Sequence, residues 1–180
     1  YYSFEPRVSF NYMLPSDIAL KGSYARMTQY IHLLTNTGIG LPTDLWVPAT
    51  DRVQPQRAHQ VALGLAKTYK GFEISLEGYY KTMDNLITYD EGATYLSFQG
   101  DWQDQVVSGQ GTSYGTELFI QKKLGKWSGW LGYTLSWNTR QFDEVNFGEP
   151  FPFKYDRRHD INLVLNYTPH EGLQYSANWV

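Results

Sequence analysis

The sequence predicts an all-β fold, a transmembrane antiparallel β-barrel, and three observations support this prediction. First, apolar and polar residues alternate in about eight segments, which is the period of a strand with two unlike faces. Second, short turns and long loops alternate between these segments. Third, the segments hold about 9–13 residues, close to the roughly 9–11 that a tilted strand needs to cross a bilayer. Because an open sheet edge is not tolerated in lipid, the strands must belong to a closed barrel.

The composition is compatible with this fold and excludes several classes of protein. Aromatic residues form 17% of the 180 residues and charged residues 18%. Mean hydropathy is -0.47, and no apolar run has the length of a transmembrane helix. The formal net charge of -3 gives no electrostatic reason to expect nucleic-acid binding. Without cysteine, the chain has neither disulfides nor a thiolate metal site. A secreted β-sandwich has a similar composition, so the strand pattern decides between the two.

The clearest pair of strands lies between Thr112 and Trp137. In the second strand large apolar residues occupy alternate positions from Trp127 to Trp137, and the positions between them are mostly small or polar. The apolar face is aromatic at both ends and aliphatic in the middle, as expected for rings that lie at the two membrane interfaces. Gly125 and Lys126 predict a tight two-residue turn between the strands.

Six further segments alternate in the same way, at residues 5–13, 18–26, 58–69, 72–81, 160–168 and 173–179. The short turns fall near residues 14–17, 70–71, 125–126 and 169–172. The long loops fall near residues 27–57, 84–111 and 138–157. Outer-membrane barrels carry short periplasmic turns at one end and long extracellular loops at the other. A β-sandwich has no reason to sort its connections in this way. The alternation therefore predicts that the three long loops face the exterior.

The chain begins and ends inside strand-like segments, and no signal peptide opens it. We interpret it as a fragment of a longer protein. Eight strands can close a small barrel alone, but three long loops and abrupt ends favour a section of a larger barrel.

Charged side chains on the polar faces of the strands are predicted to line the barrel lumen. They are Glu73, Glu77, Lys81 and Glu117. Paired carboxylates can perform acid–base catalysis, yet a polar interior is normal for a membrane barrel. We therefore expect these residues to line a wet lumen or to contact a plug, and we do not expect an enzyme.

Two long loops are more apolar than a solvated loop needs to be. The candidate ligand-binding residues in the first loop are Tyr30, His32 and Trp46, and the candidate in the second is Trp102. Tyr95 and Phe98 in the second loop and Leu41 in the first are further apolar residues that could contact a ligand. Packing between the loops would explain the same composition, so both interpretations stay open.

The densest charge cluster is the run of residues 155–160. It holds one histidine, His159, beside Asp156 and Asp160. With no second histidine at a useful spacing, this is a weak metal site, and we expect neither metal nor cofactor. Arg157 and Arg158 would suit lipopolysaccharide phosphates, although a solvated charged rim is the simpler interpretation.

Five phrases follow one another in the chain: EPRVSFNYMLPSDIALKGSYARMTQYIHLL, VQPQRAHQVALG, FEISLEGYYKTMDNLI, YGTELFIQKKLGKWSGWLGYTLSWN and FPFKYDRRHDINLVLNY. In order and spacing they resemble the C-terminal part of the barrel of TonB-dependent receptors, in particular those of Bacteroidetes. The resemblance covers nearly the whole chain.

The resemblance implies a barrel of about 22 strands with a plugged lumen. The N-terminal plug domain and the final strands are expected outside this chain. It implies active uptake of a scarce nutrient across the outer membrane, with the ligand bound by extracellular loops and lumen. The implied partners are outer-membrane lipid, lipopolysaccharide, the TonB complex acting through the plug, and a surface lipoprotein or other outer-membrane subunits. The alternatives are a passive porin and a structural or adhesive component of an outer-membrane assembly.

Overall fold

A computed structural model of the protein describes residues 2–34, 44–90 and 101–180. Eight long strands form one antiparallel sheet: β1 (Arg7–Leu14), β2 (Ile18–Gln29), β5 (Gln56–Tyr69), β6 (Phe72–Tyr89), β7 (Val106–Lys122), β8 (Trp127–Gln141), β10 (His159–His170) and β11 (Leu173–Trp179). They pair in this order, which is also their order along the chain. A separate hairpin joins β3 (Ile31–Leu34) to β4 (Leu45–Pro48), and the short β9 (Phe151–Pro152) pairs with β8.

All eight predicted strands are confirmed, and β6 and β7 are longer than predicted. β6 continues to Tyr89 and β7 begins at Val106, so the second long loop is shorter than the expected residues 84–111. The pairing register shifts between Met83 and Leu86, and Asn85 there has a φ of 57°. An inserted residue of this kind breaks the period of two. The alternation in the sequence therefore stops before the strand does.

The pairing register keeps the two faces of the sheet continuous from strand to strand. Leu76 on β6 lies opposite Leu65 on β5 and Leu118 on β7, while Glu77 lies opposite Glu117. Residues directly opposite one another share a face of the sheet. The apolar and polar faces predicted from the period therefore each extend across neighbouring strands.

The short connections lie at one end of the sheet, called here the short-turn end. Lys70 and Gly71 have φ values of 48° and 82°, the two positive angles of a type I′ turn, which confirms the two-residue turn predicted there. The prediction of a two-residue turn at Gly125 and Lys126 is wrong. β7 ends at Lys122 and β8 begins at Trp127, so four residues connect them. Of the two predicted turn residues only Gly125 has a positive φ, 103°, whereas a type I′ turn needs two.

The three long connections lie at the opposite end, called here the long-loop end, and they carry the buried core of the described residues. One cluster contains Leu34, Val47, Val53, Ile87 and Tyr89, against which Leu45, Trp102 and Val106 pack. A second contains Ala58, Met83, Leu86 and Phe142, against which Met27, Val107, Val145 and Phe151 pack. Both clusters join loop residues to the extended ends of the strands. Packing of loops on strands and on one another thus accounts for the buried apolar side chains of the loops that the structure describes.

The helical content of the described residues is two short 3₁₀ turns, Trp102–Gln105 and Asn146–Gly148. Neither has the length or the apolar character of a membrane-spanning helix.

Candidate functional site

Aromatic rings form a row across the apolar face, on the side of its aliphatic residues that is toward the long-loop end. Tyr80, Tyr114 and Trp137 are cross-strand neighbours on β6, β7 and β8. The ring centroids of Tyr80 and Tyr114 lie 6.3 Å apart, and those of Tyr114 and Trp137 lie 5.3 Å apart. We call these three residues the upper belt. Stacked aromatic pairs of this kind stabilise a sheet.

A second aromatic row lies near the short-turn end of the same face. The rings of Trp127 and Tyr167 are 4.3 Å apart, and those of Tyr167 and Tyr175 are 6.4 Å apart. We call these three residues the lower belt. Trp137 lies ten positions after Trp127 on β8, which is about 33 Å along a strand. At a tilt of about 45° this is about 23 Å in height, close to the roughly 25 Å apolar band of outer-membrane barrels.

Large aliphatic side chains between the two belts are exposed. Leu63 is 58% exposed and Leu76 is 52% exposed. A continuous apolar surface of this kind on the outside of a sheet marks a face that contacts lipid or another apolar surface. The belts give that surface the two interfacial borders expected of a membrane face.

The predicted lumen residues lie together on the polar face. Glu77 and Glu117 are directly opposite one another on β6 and β7, and opposed like charges are unfavourable. A Cβ at Gly64 would lie 3.4 Å from Oε2 of Glu77. The Glu77 carboxylate therefore leans toward β5 and away from Glu117.

The other two predicted lumen residues have different surroundings on the same face. Glu73 accepts a charged hydrogen bond of 2.8 Å from Nζ of Lys123 in the adjacent turn. Lys81 lies between two polar cross-strand neighbours, Gln60 and Ser113. The polar face thus carries charge of both signs. Among the described residues no group of three or more acidic or histidine side chains could hold a metal ion.

The candidate ligand-binding residues of the first loop lie on the β3–β4 hairpin or directly before it. Trp46 pairs with Leu33 on the outer side of the hairpin and is 60% exposed. Tyr30, just before β3, is 40% exposed. His32 pairs with Val47 on the inner side and is only 1% exposed. Contact between these side chains and a ligand stays a prediction.

The surroundings of His32 favour the neutral imidazole. Burial is the larger influence and lowers the pKa of His32, while the backbone of Gln54 raises it to a smaller extent. Neither ring nitrogen makes a hydrogen bond of normal geometry to another residue in the described ranges. A positive charge on this ring would therefore be poorly compensated.

Trp102 begins the 3₁₀ turn Trp102–Gln105 in the second loop. Asp101 caps this turn by accepting a hydrogen bond from the backbone N–H of Gln103. The indole of Trp102 packs against the cluster that contains Leu34 and Val47. It therefore serves loop packing in this structure, and its contact with a ligand stays a prediction. Tyr95, Phe98 and Leu41 lie outside the described residues.

Polar contacts join the first loop to the second. Arg52 forms an ion pair with Asp104 and lies 3.7 Å from Asp101. The hydroxyl of Thr50 donates a hydrogen bond of 2.5 Å to Oε1 of Gln103. Hydrogen bonding to Asp104 raises the pKa of the already cationic Arg52. These residues were not predicted, because isolated charges in loops carry no periodic signal.

Further contacts join the first loop to the third. The hydroxyl of Tyr155 donates to Asp44, and Nζ of Lys154 lies 3.7 Å from the same carboxylate. The hydrogen bond to Asp44 is the largest influence on Tyr155 and raises its pKa. The first loop is therefore bonded to both of the others.

The charge cluster at residues 155–160 is largely engaged in local structure. Asp156 accepts a hydrogen bond of 2.9 Å from the backbone N–H of Asn138 and forms an ion pair of 3.1 Å with Arg158. The guanidinium of Arg158 lies 4.6 Å from the ring centroid of Trp137 in the upper belt. His159 hydrogen-bonds Tyr133 at 2.9 Å. Arg157 is exposed.

The sheet has one apolar face bordered by aromatic belts, one polar face, and its long loops gathered at one end. This combination defines the class of membrane β-barrel proteins. A family model described as TonB dependent receptor-like, beta-barrel, matches residues 1–180. The chain belongs to this family. No curated protein and no solved structure matches it. Membership indicates a part in outer-membrane transport rather than catalysis, and the TonB complex as a partner.

Proposed function

We propose that this chain forms part of the wall of an outer-membrane transporter that takes up a scarce nutrient by TonB-dependent active transport. The observation that supports the proposal best is the sheet, whose apolar face lies between two aromatic belts and opposes a charged polar face. In this arrangement the apolar face contacts lipid and the polar face lines the lumen. The short-turn end faces the periplasm and the long-loop end faces the exterior.

The eight strands are proposed as one section of a larger closed barrel. β1 and β11 are the edges of the sheet, and every residue of β11 is exposed. Unpaired edge groups are not stable in lipid, so further strands of the same protein would cover them. A plug domain in the lumen would then contact Glu73, Glu77, Lys81 and Glu117.

Ligand contact is proposed for the exposed aromatic side chains of the first loop, Tyr30 and Trp46. Such rings offer a large contact area with little conformational entropy to lose. Contact with the buried His32 would require the hairpin to move away from the cluster beneath it, whereas Trp102 is only partly buried. The outer side of the hairpin also suits a surface lipoprotein or another outer-membrane subunit. Lipopolysaccharide phosphates would bind beside the upper belt, at Arg157 and Arg158.

The first experiment asks whether the full-length protein is a closed barrel in the outer membrane. Membranes are fractionated, and the protein is run on SDS gels with and without boiling. A large change in mobility, together with recovery in the outer-membrane fraction, is the expected result. A protein that stays in a soluble fraction and shows no change would refute both the barrel and the transporter.

The second experiment tests transport and the ligand site. Uptake by cells should stop when the TonB complex is inactivated; uptake that continues would indicate a passive porin. Tyr30→Ala combined with Trp46→Ala should weaken ligand binding. Phe147→Ala is the matched control, because Phe147 is an exposed aromatic residue of the third loop (98%). An equal loss of binding in the control would show that Tyr30 and Trp46 do not contact the ligand specifically.

A further inference from the structure

Three lysine side chains surround two rings on the apolar face at the short-turn end. Tyr69 and Phe72 are cross-strand partners across the type I′ turn. Nζ of Lys67 lies 5.9 Å from the centroid of the Tyr69 ring, and Nζ of Lys70 lies 5.2 Å from it. Nζ of Lys122 lies 5.5 Å from the centroid of the Phe72 ring. We call Lys67, Lys70 and Lys122 the lysine cluster.

No carboxylate forms an ion pair with the lysine cluster among the residues that the structure describes. The ion pairs found there involve other cations, including Lys123, which binds Glu73. Glu73 adjoins Phe72 in the chain but lies on the polar face, since it pairs with Thr68 and Gln121. The cluster is therefore a local excess of positive charge at the border of the apolar face.

The Lys122 side chain bends from the apolar face toward the neighbouring turn. Its Nζ lies 3.7 Å from the position that a Cβ at Gly125 would occupy. Lysine side chains at membrane borders commonly extend in this way, so that the stem stays in the apolar layer and the ammonium reaches the headgroups. The position suits contact with a lipid phosphate rather than with acyl chains alone.

An apolar groove adjoins the cluster on the same face. It has a volume of about 350 Å³, and its lining includes Phe72, Ile120, Leu131, Leu163 and Leu165, with Lys122 at its short-turn end. Gly129 also lines it and leaves a gap in the outward row between Lys122 and Leu165. The aliphatic walls suit an acyl chain, and the ammonium beside them suits an anionic headgroup.

We propose that this surface binds an anionic phospholipid of the periplasmic leaflet, with its phosphate at the lysine cluster and one acyl chain in the groove. This inference rests on the proposed function, because it requires the short-turn end to lie in the periplasmic leaflet of the outer membrane. Charge-assisted hydrogen bonds from the ammonium groups hold the phosphate. Each lysine near a membrane surface strengthens the attraction by about fivefold.

Native mass spectrometry of the full-length protein tests the inference with phosphatidylglycerol, phosphatidylcholine and inorganic phosphate as probes. The wild-type protein should retain phosphatidylglycerol in preference to phosphatidylcholine. Lys70→Gln combined with Lys122→Gln should weaken that binding by about 25-fold. The matched control is Lys21→Gln combined with Lys81→Gln, which removes the same charge from the polar face and should leave binding unchanged. Equal weakening in both pairs would overturn the inference.

A groove variant separates a lipid site from a simple phosphate site. Ile120→Trp fills the groove with another apolar side chain and should weaken phosphatidylglycerol binding. If inorganic phosphate competes fully and Ile120→Trp has no effect, the site binds phosphate alone and the lipid inference is wrong. The heat-dependent mobility shift checks that each variant folds. If a variant does not fold, the preference of the wild-type protein for phosphatidylglycerol over phosphatidylcholine tests the inference. A wild-type barrel without that preference refutes this inference and leaves the transporter proposal intact.

Discussion

An arginine in the middle of the apolar band should destabilise the barrel strongly. Leu131 lies four residues from Trp127 of the lower belt, about 13 Å along the strand and about 9 Å in depth. Its direct cross-strand neighbours are Ile120 and Leu163, both aliphatic. An arginine near the bilayer midplane of a barrel costs about 2–4 kcal/mol. Leu131→Arg should therefore lower the folding equilibrium constant by about 30- to 700-fold.

The same substitution three residues further along β8 should be tolerated. Thr134 lies on the polar face, where its direct cross-strand neighbours are Glu117 and Asp160. An arginine there meets two carboxylates in a wet environment, so its charge is both solvated and paired. Thr134→Arg should change the free energy of unfolding by less than about 0.5 kcal/mol, or raise it.

Urea unfolding of the full-length protein in lipid vesicles measures both variants, with the free energy of unfolding extrapolated to water. The mobility shift on unheated gels gives a second measure, the fraction that assembles in cells. Equal losses for Leu131→Arg and Thr134→Arg would refute the assignment of the two faces. A larger loss for Thr134→Arg would mean that the assignment is reversed.

Three further outcomes are expected. Gly115→Ala should lower the free energy of unfolding by about 1–3 kcal/mol, because a Cβ there would lie 2.5 Å from a backbone carbonyl oxygen. Gly78→Ala is its control and should be nearly neutral in the same urea assay, since the nearest atom would be 3.9 Å away. Acidification from pH 7 to 5 should lower the hydrogen-exchange protection factors of the β3–β4 hairpin, which compare the observed exchange rate with the intrinsic rate at each pH. Burial lowers the pKa of His32 in the folded hairpin, so the opened hairpin binds the proton more tightly. The stability of the hairpin therefore decreases as the pH falls below the ordinary histidine pKa of about 6.5. His32→Gln should remove that dependence, and a dependence that persists after correction for intrinsic exchange would exclude this cause. Glu117→Lys should stabilise the barrel by about 0.2–1 kcal/mol by placing a cation opposite Glu77; an unchanged or lower unfolding midpoint would contradict this.

The strands of the wall were predictable because their two faces meet different surroundings. Val61, Leu63 and Leu65 alternate with small and polar residues, and the structure places all three on the apolar face. The period fails where the backbone departs from regular pairing. The insertion near Asn85 hid the end of β6, since it moves the four later side chains, Leu86 to Tyr89, to the opposite face relative to the expected period.

The loops were less predictable, and in the first loop the reason is that both sides of the β3–β4 hairpin are apolar. His32 and Trp46 look alike as candidates in the sequence, yet one is buried and the other exposed. Their difference depends on which side of the hairpin packs on the rest of the protein, and the packed side, through Leu34 and Val47, meets Ile87 and Tyr89 far along the chain on β6. The ion pairs of Arg52 depend on a turn of another loop in the same way. Long-range contacts of this kind leave no local pattern.

In the proposed orientation, the bonds from the first loop to the other two decide how molecules outside the cell recognise the protein. Because Asp44 contacts the third loop and Arg52 contacts the second, the surface of the long-loop end is assembled from segments that are distant in sequence. An antibody raised against a linear peptide from one loop should bind the unfolded chain but bind the folded protein poorly. Antibodies or phages selected on intact cells should instead recognise a discontinuous surface, and a change in one loop should alter their binding to the others.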